Sequence, residues 1–363
     1  MKITNLKLKN FRNISDINLE FSSQKTLIIG KNAQGKTNIL ESIYLLSTLK
    51  SQRTYTASDF VKFGEKSFNI NANVTKNTDI ELDLFFENGK KELKTNRIKT
   101  NPKDFKSVLK TVLFSSQDLM LLRGSPEDRR NWLDLAILQI YPTYTDRLSK
   151  YNKIRIQKNN FLKNYDGNRT LLDVYNEQLA ILGSNIIYLR KKFLKEISEI
   201  TKKKHSKISS QEELTIRYNC NFLEDDDFEA ETILQKYRKK QEERIELELI
   251  KRQCVIGPHK DDINFYINSN DSTKFASQGQ QRTIVLALKL AELDMISQKI
   301  GENPVLLLDD VLAELDEVRQ NYLLKSIDKN IQTIITSVDT LLFDDKFLES
   351  VEIFKISNGE CVS

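Results

Sequence analysis

The chain has 363 residues, too many for one ordinary core and enough for about two domains, or for one domain interrupted by another. Apolar residues make up 39% and charged residues 29%, with few prolines and glycines, which excludes an extended disordered chain, while a net charge of only +5 leaves any anionic partner to local clusters. Cys220, Cys254 and Cys361 lie far apart without CxxC spacing, and there is neither an apolar leader nor a run of ~18 apolar residues, so a disulfide framework, a zinc site and a membrane span are excluded and a reducing cytoplasm is expected.

Residues 3–11 and 17–21 alternate apolar with polar, which predicts edge strands, and Leu27-Ile28-Ile29 predicts a buried strand ending at Gly30. From Thr37 onward Ile39, Leu40, Ile43, Leu46 and Leu49 recur at helical spacing, so a glycine-bearing loop joins strand to helix. Alternation at 68–74 and 80–86 predicts an antiparallel layer. From about Pro142 to Lys251 glycine and proline nearly vanish and Lys, Glu, Gln and Leu dominate, which predicts helix. There Leu172, Tyr175, Leu179, Leu182, Ile186, Leu189 and Phe193 step by 3 and 4 in turn, the spacing of a seam on a partner helix; a short antiparallel arm and a compact bundle both satisfy it. Gly167 and Asn168 supply one turn, and the acidic run 224–227 lies in a second break before a helix over 228–253. Past Ile256 an alternating strand (263–267), a buried helix (283–296), an apolar strand (305–308) and a last strand (333–336) follow. Residues 1–140 and 253–363 are therefore expected to form two halves of one α/β unit, split by an inserted helical domain at 141–252.

Gly30-Lys31-Asn32-Ala33-Gln34-Gly35-Lys36-Thr37 fits GxxxxGK[ST] between a strand and a helix, the context in which that pattern binds a nucleotide triphosphate. Glycines let backbone N–H groups turn inward, the helix N-terminus adds positive potential, Lys36 bridges the outer phosphates and the Thr37 hydroxyl ligates magnesium. ATP with Mg2+ is the expected ligand. The apolar strand 305–308 ends in Asp309, a metal-side carboxylate, and Asp310, a candidate general base for the attacking water. Ser277-Gln278-Gly279-Gln280-Gln281 precedes the next apolar helix, and as an isolated segment Ser277 reads as a helix cap.

In the order phosphate loop, SxGQQ, acidic strand end and Ala313-Glu314-Leu315-Asp316, these segments resemble the Walker A, signature, Walker B and D-loop motifs of ABC-type ATPases. The 240 residues between Thr37 and Ser277 point to the SMC-like branch, whose ATPase heads are split by helical arms. Asp118-Leu119-Met120-Leu121-Leu122-Arg123-Gly124-Ser125-Pro126, then Arg129-Arg130-Asn131-Trp132-Leu133-Asp134, and Gly257-Pro258-His259-Lys260-Asp261-Asp262 resemble hallmarks of the RecF family of bacterial recombination mediators. That resemblance implies an α/β, ABC-type P-loop ATPase head with an antiparallel β layer. It implies a homodimer formed on ATP binding, in which Ser277, Gly279 and Gln280 of one copy meet the γ-phosphate on the other. It also implies DNA binding at gaps with single-strand to double-strand junctions, RecR and RecO proteins as partners, and no membrane. The family shows Pro-Glu where this chain has Ser116-Gln117, so Gln117 becomes a candidate water- and metal-sensing glutamine. Thr336 and Ser337 stand where transporters carry a switch histidine, which fits slow hydrolysis. An SMC-like structural DNA scaffold and a transporter ATPase subunit are the alternatives.

His259 beside Pro258 and Asp261 reads either as a hydrogen-bonded structural group or as a catalytic residue, and His205, in a Lys-rich helix, is expected to be solvated. Arg190-Lys191-Lys192, Lys195, Lys202-Lys203-Lys204 and Lys207, with Lys236, Arg238, Lys239 and Lys240, form basic runs that fit either a solvated face or DNA phosphates.

Overall fold

The computed structural model describes residues 1–54, 56–224 and 228–362, so Asp225, Asp226 and Asp227 of the acidic break lie outside the described residues. In chain order, β1 (Lys2–Phe11), β2 (Ile14–Glu20) and β3 (Lys25–Ile29) lead to α1 (Lys36–Thr48), followed by β4 (Ser67–Thr75), β5 (Asp79–Glu87), β6 (Lys90–Thr95), β7 (Ile98–Lys99), α2 (Pro102–Val108) and β8 (Thr111–Ser115). Next come α3 (Pro126–Ile140), α4 (Tyr144–Lys163), α5 (Arg169–Ile208), β9 (Leu214–Asn219), α6 (Ala230–Lys251), β10 (Asp262–Ile267) and β11 (Asn270–Asp271). The chain continues through α7 (Gln278–Ile300), β12 (Val305–Asp309), α8 (Glu317–Ser326), β13 (Thr333–Ser337), β14 (Glu352–Ser357) and β15 (Glu360–Val362). It divides into two compact units, one of Met1–Asp118 with Val285–Ser363 and one of Leu119–Ile284.

The first unit holds two sheets. One is antiparallel, in the order β2-β1-β4-β5-β6-β7; the other runs β15-β14-β3-β13-β12-β8, with all strands parallel except β15. The central strands β12 and β13 are buried along nearly their whole length, as expected for parallel strands covered on both faces. One apolar core joins Leu6, Leu8, Phe68 and Leu84 of the antiparallel sheet to Ile39, Ile43 and Leu46 of α1 and to Ile28, Leu307 and Ile334 of the parallel sheet. β1 is not the edge strand its alternation predicts: Ile3, Leu6, Leu8 and Phe11 are fully buried, and the strand pairs on both sides. Nor is 333–336 the last strand, because β14 and β15 follow it and β14 pairs with β3.

In the second unit α5 packs against both α4 and α6: Leu162, Leu172 and Ile245 form one cluster, and Ala180, Ile187, Ile233, Tyr237 and Ile256 another. Tyr175, Leu182 and Leu189 of the predicted seam are only half-buried, while Gly183, Ile187, Arg190, Leu194, Ile197, Thr201 and His205 are buried. That stripe keeps the 3.6-residue period of a straight helix rather than the 3.5 of a supercoil. β9 interrupts the stretch read as helix, and β10 pairs with β9 and β11 in this unit rather than joining either sheet of the first. His205, expected in solvent, is fully buried with Nε2 3.6 Å from Glu212 Oε2.

Buried charges here are matched. Lys158 and Glu248 form a fully buried ion pair. The Arg190 guanidinium clasps Asp134 with two bonds of 2.9 Å and donates to the Pro258 carbonyl at 2.6 Å. Arg129 clasps Asp262 at 2.7 and 2.9 Å, and Arg130 donates to the Asp261 carbonyl at 2.7 Å, so the two hallmark segments lock onto each other. His259 is structural: Nε2 donates to the Cys254 carbonyl at 3.2 Å, which leaves Nδ1 to accept from the Tyr151 hydroxyl at 2.8 Å. Burial drives its pKa down to about 3.

Two outcomes follow. Lys158→Met strands Glu248 and lowers stability by about 3–5 kcal/mol in denaturant unfolding, whereas adding Glu248→Leu restores most of the loss. Because the unfolded chain protonates His259 near 6.5 and the folded chain only near 3, its contribution is present above about 6.5 and lost as pH falls. The stability gap between the native chain and His259→Gln therefore narrows by about 2 kcal/mol between pH 7 and pH 5. The comparison cancels the opposite titration of Asp261, whose carboxyl burial raises to about 6.

Candidate nucleotide-binding site

Parallel pairing brings the carboxyl ends of β3, β13 and β12 side by side, with Ile28 opposite Thr336 and Thr336 opposite Asp309. A cleft of about 450 Å³ opens beyond them, lined by the loop residues Asn32, Ala33, Gln34, Gly35, Lys36 and Thr37 together with Asp309 and Asp310. This is where open α/β sheets take ligands. The loop enters α1 through two left-handed residues, Ala33 at φ 65° and Gly35 at φ 115°, which turn successive N–H groups toward one side. Lys36 is buried and its ammonium donates to the carbonyls of Gly30 at 2.7 Å and Lys31 at 3.3 Å.

Asp309 is the hub. Its Oδ1 accepts from the Thr37 hydroxyl at 3.0 Å and from the Thr336 hydroxyl at 2.9 Å. Burial raises its pKa, and these hydroxyl hydrogen bonds oppose the rise. Asp310 follows at φ 53° and donates its N–H to Thr336 Oγ1 at 2.9 Å, so the chain leaves the strand through a strained turn that puts a second acid on the cleft wall.

Gln117 is exposed and lines the same cleft beside Ser115 and Ser116. The turn that carries it is anchored by Asp118, which accepts from the Ser115 N–H at 2.7 Å and pairs with buried Lys289 of α7 at 3.3 Å. Sequence reading missed Asn13, Tyr44, Gln52 and Arg53, which also line the cleft. Arg53 donates to Asn38 at 2.7 Å and reaches Glu41 at 3.3 Å, while Arg12 grips Glu41 with bonds of 2.9 and 2.7 Å. No local pattern marks Tyr44, Gln52 and Arg53 as site residues, because they come from a loop and from the inner side of α1.

Ser277, Gly279 and Gln280 belong to the second unit and are not among the residues lining this cleft. Ser277 caps α7: Gln280 N–H donates to Ser277 Oγ at 3.2 Å and Ser277 N–H to Gln280 Oε1 at 2.8 Å, a reciprocal capping box. Asp316 likewise caps α8 through the Arg319 N–H at 2.9 Å, and it too lies off the cleft wall. The basic run is thinner than its composition suggests. Arg190 is consumed by Asp134, Lys191 and Lys195 lie over the Phe228 ring at 4.8 and 4.5 Å, and Arg238 pairs with Glu177 at 2.6 Å. Among the described residues no helix is long and apolar enough to cross a membrane.

Residues 2–361 match the model of the RecF/RecN/SMC N-terminal domain. The DNA replication and repair protein RecF of Natranaerobius thermophilus is 40% identical over 100% of this chain and 98% of its own length, and that of Bacillus subtilis 38% identical over 100% of both. A solved structure titled as the recombination mediator protein RecF with ATP, in the RecFOR pathway, superposes with a TM-score of 0.91 at 34% identity, covering 99% of this chain and 97% of its own. An Smc head bound to a winged-helix domain of ScpA superposes at 0.56 with 15% identity, covering 99% of this chain and 96% of its own, a likeness of fold alone. The ABC-type head expected from the motifs is thus the observed fold, and this chain belongs to the RecF family within the RecF/RecN/SMC group.

Proposed function

We propose that this chain is an ATP-dependent DNA-binding protein of replication and recombinational repair, in which ATP works as a dimerisation switch. One observation carries it: the Thr37 hydroxyl and the Asp309 carboxylate meet at 3.0 Å beside the phosphate loop, two hard oxygen donors where a triphosphate and its cation need them. A carboxylate whose ionised form burial disfavours is well suited to a divalent cation, so Thr37 and Asp309 would hold magnesium. When bound, the metal neutralises charge on the outer phosphates. The N–H groups of Gly30 to Thr37 and the Lys36 ammonium bind and orient the triphosphate, Asp310 takes the proton of the attacking water, and Gln117 orients that water. Thr336 offers Asp309 a hydroxyl and no base, in keeping with slow turnover.

Ser277 caps α7 and Gly279 and Gln280 lie in its first turn, and the positive end of that helix suits the γ-phosphate of ATP held by a second copy. Asp316, at the start of α8, serves as the D-loop residue of the same composite site. ATP binding thereby closes a homodimer on DNA, with preference for gaps and their single-strand to double-strand junctions, and hydrolysis releases it. The dimer helps load recombinase with RecR and RecO proteins in the cytoplasm. The relative titled within the RecFOR pathway supports those partners.

Lys36→Ala should weaken ATP binding at least roughly tenfold, the loss of one charge-assisted contact. Ser277→Arg should bind ATP within a few-fold of the native chain yet stay monomeric with ATP in sedimentation; normal dimerisation would rule out the composite site. Affinity for gapped and fully duplex DNA, measured with and without ATP across salt concentrations, should be highest for gapped DNA with ATP and fall steeply with salt. Equal affinity in all four conditions would leave an SMC-like scaffold instead.

A further inference from the structure

The back of the phosphate loop is held by the end of the chain. β14 runs parallel to β3 with Glu352 opposite Thr26 and Lys355 opposite Ile29, so the two strands finish side by side. β3 runs into Gly30; β14 runs into the turn Asn358-Gly359, whose φ values of 51° and 78° make it a type I′ hairpin to β15. The turn aims both of its N–H groups at one loop residue. Gly359 donates to the Gln34 carbonyl at 2.9 Å, and Asn358 donates to the Gln34 side-chain Oε1 at 2.5 Å. The fit is close: a Cβ on Gly30 would lie 2.3 Å from the Ile356 carbonyl oxygen, and one on Gly359 would lie 2.8 Å from that of Asn13. Asn13 in turn donates to the Ala33 carbonyl at 3.3 Å and accepts from Asn38 at 2.8 Å.

Two facts give these contacts meaning. Position 34 is unrestricted in the phosphate-loop pattern, so phosphate binding does not itself call for glutamine there. Ala33, immediately before it, holds a left-handed backbone at φ 65°, a conformation that an L-residue keeps only when its surroundings fix it. We propose that the β14–β15 hairpin is a clamp that presets the phosphate loop for the triphosphate, with the Gln34 side chain positioning the loop rather than contacting phosphate. This rests on the reading of the cleft as an ATP site. Because the clamp and the ligand stabilise the same loop geometry, each tightens the other by reciprocal linkage.

The test titrates a fluorescent ATP analogue with magnesium into the full-length chain and into Gln34→Ala, alongside nucleotide-free melting and amide hydrogen exchange of the native chain. Loss of one hydrogen bond predicts affinity roughly fivefold weaker in Gln34→Ala. In the native chain, ATP should slow exchange at Asn358 and Gly359 severalfold, although the role proposed for these residues needs no contact with nucleotide. Native affinity in Gln34→Ala, or exchange at Gly359 that ignores ATP, overturns the clamp. If Gln34→Ala also melts early, the exchange measured on the native chain decides alone. A native chain that binds no ATP fails the ATP reading and the clamp together, whereas ATP binding without these effects sinks the clamp only.

Discussion

A half-buried carboxylate at the end of β12 ties the first unit's site together. Asp309 sits where three parallel strands end, and the hydroxyls of Thr37, from the first turn of α1, and Thr336, from β13, both turn toward its Oδ1. An ionised acid partly withdrawn from water is costly unless hydrogen bonds or a cation offset the lost hydration. Satisfying it requires β3, β13 and β12 to run parallel and in register, so the demand of one side chain coincides with the strand order of the sheet. Asp310 is a by-product of the same demand: its N–H is tied to Thr336, and the left-handed turn that results directs the next acid into the cleft.

The site was legible where its residues are contiguous. The eight-residue loop, the acidic strand end and their flanking elements are local patterns, and local patterns survive folding. The hairpin behind the loop is legible too, since Asn-Gly between short segments at 352–357 and 360–362 is a strong turn signal. Arg53 and Glu41 were not legible in any form, because only the fold brings the loop after α1 back over that helix.

In the second unit the sequence misled in one direction: charge was read as surface. Arg190 stands in a run of three basic residues and His205 among lysines, yet both are fully enclosed. Helical periodicity settles the matter better than charge does, since both fall on the buried stripe of α5 that Leu194, Ile197 and Thr201 also occupy. The ion pairs Arg190–Asp134, Arg129–Asp262 and Lys158–Glu248 each bridge segments far apart in sequence. Such pairs specify geometry more than they add stability, because a charge removed from water tolerates only the partner built for it.

The hairpin at Asn358-Gly359 carries a liability of another kind. Asn-Gly is the dipeptide in which the glycine nitrogen most easily attacks the asparagine side chain, expelling ammonia to form a succinimide that water opens to an aspartate or to a rearranged, lengthened backbone. Thermolabile asparagines of this sort are among the residues that heat-adapted proteins discard. Here the glycine N–H is engaged by the Gln34 carbonyl and the turn is locked in its left-handed pair, which keeps the nitrogen from the side chain. Chemical ageing at this one dipeptide is therefore tied to the phosphate loop, because the contact that holds the turn is a contact to Gln34.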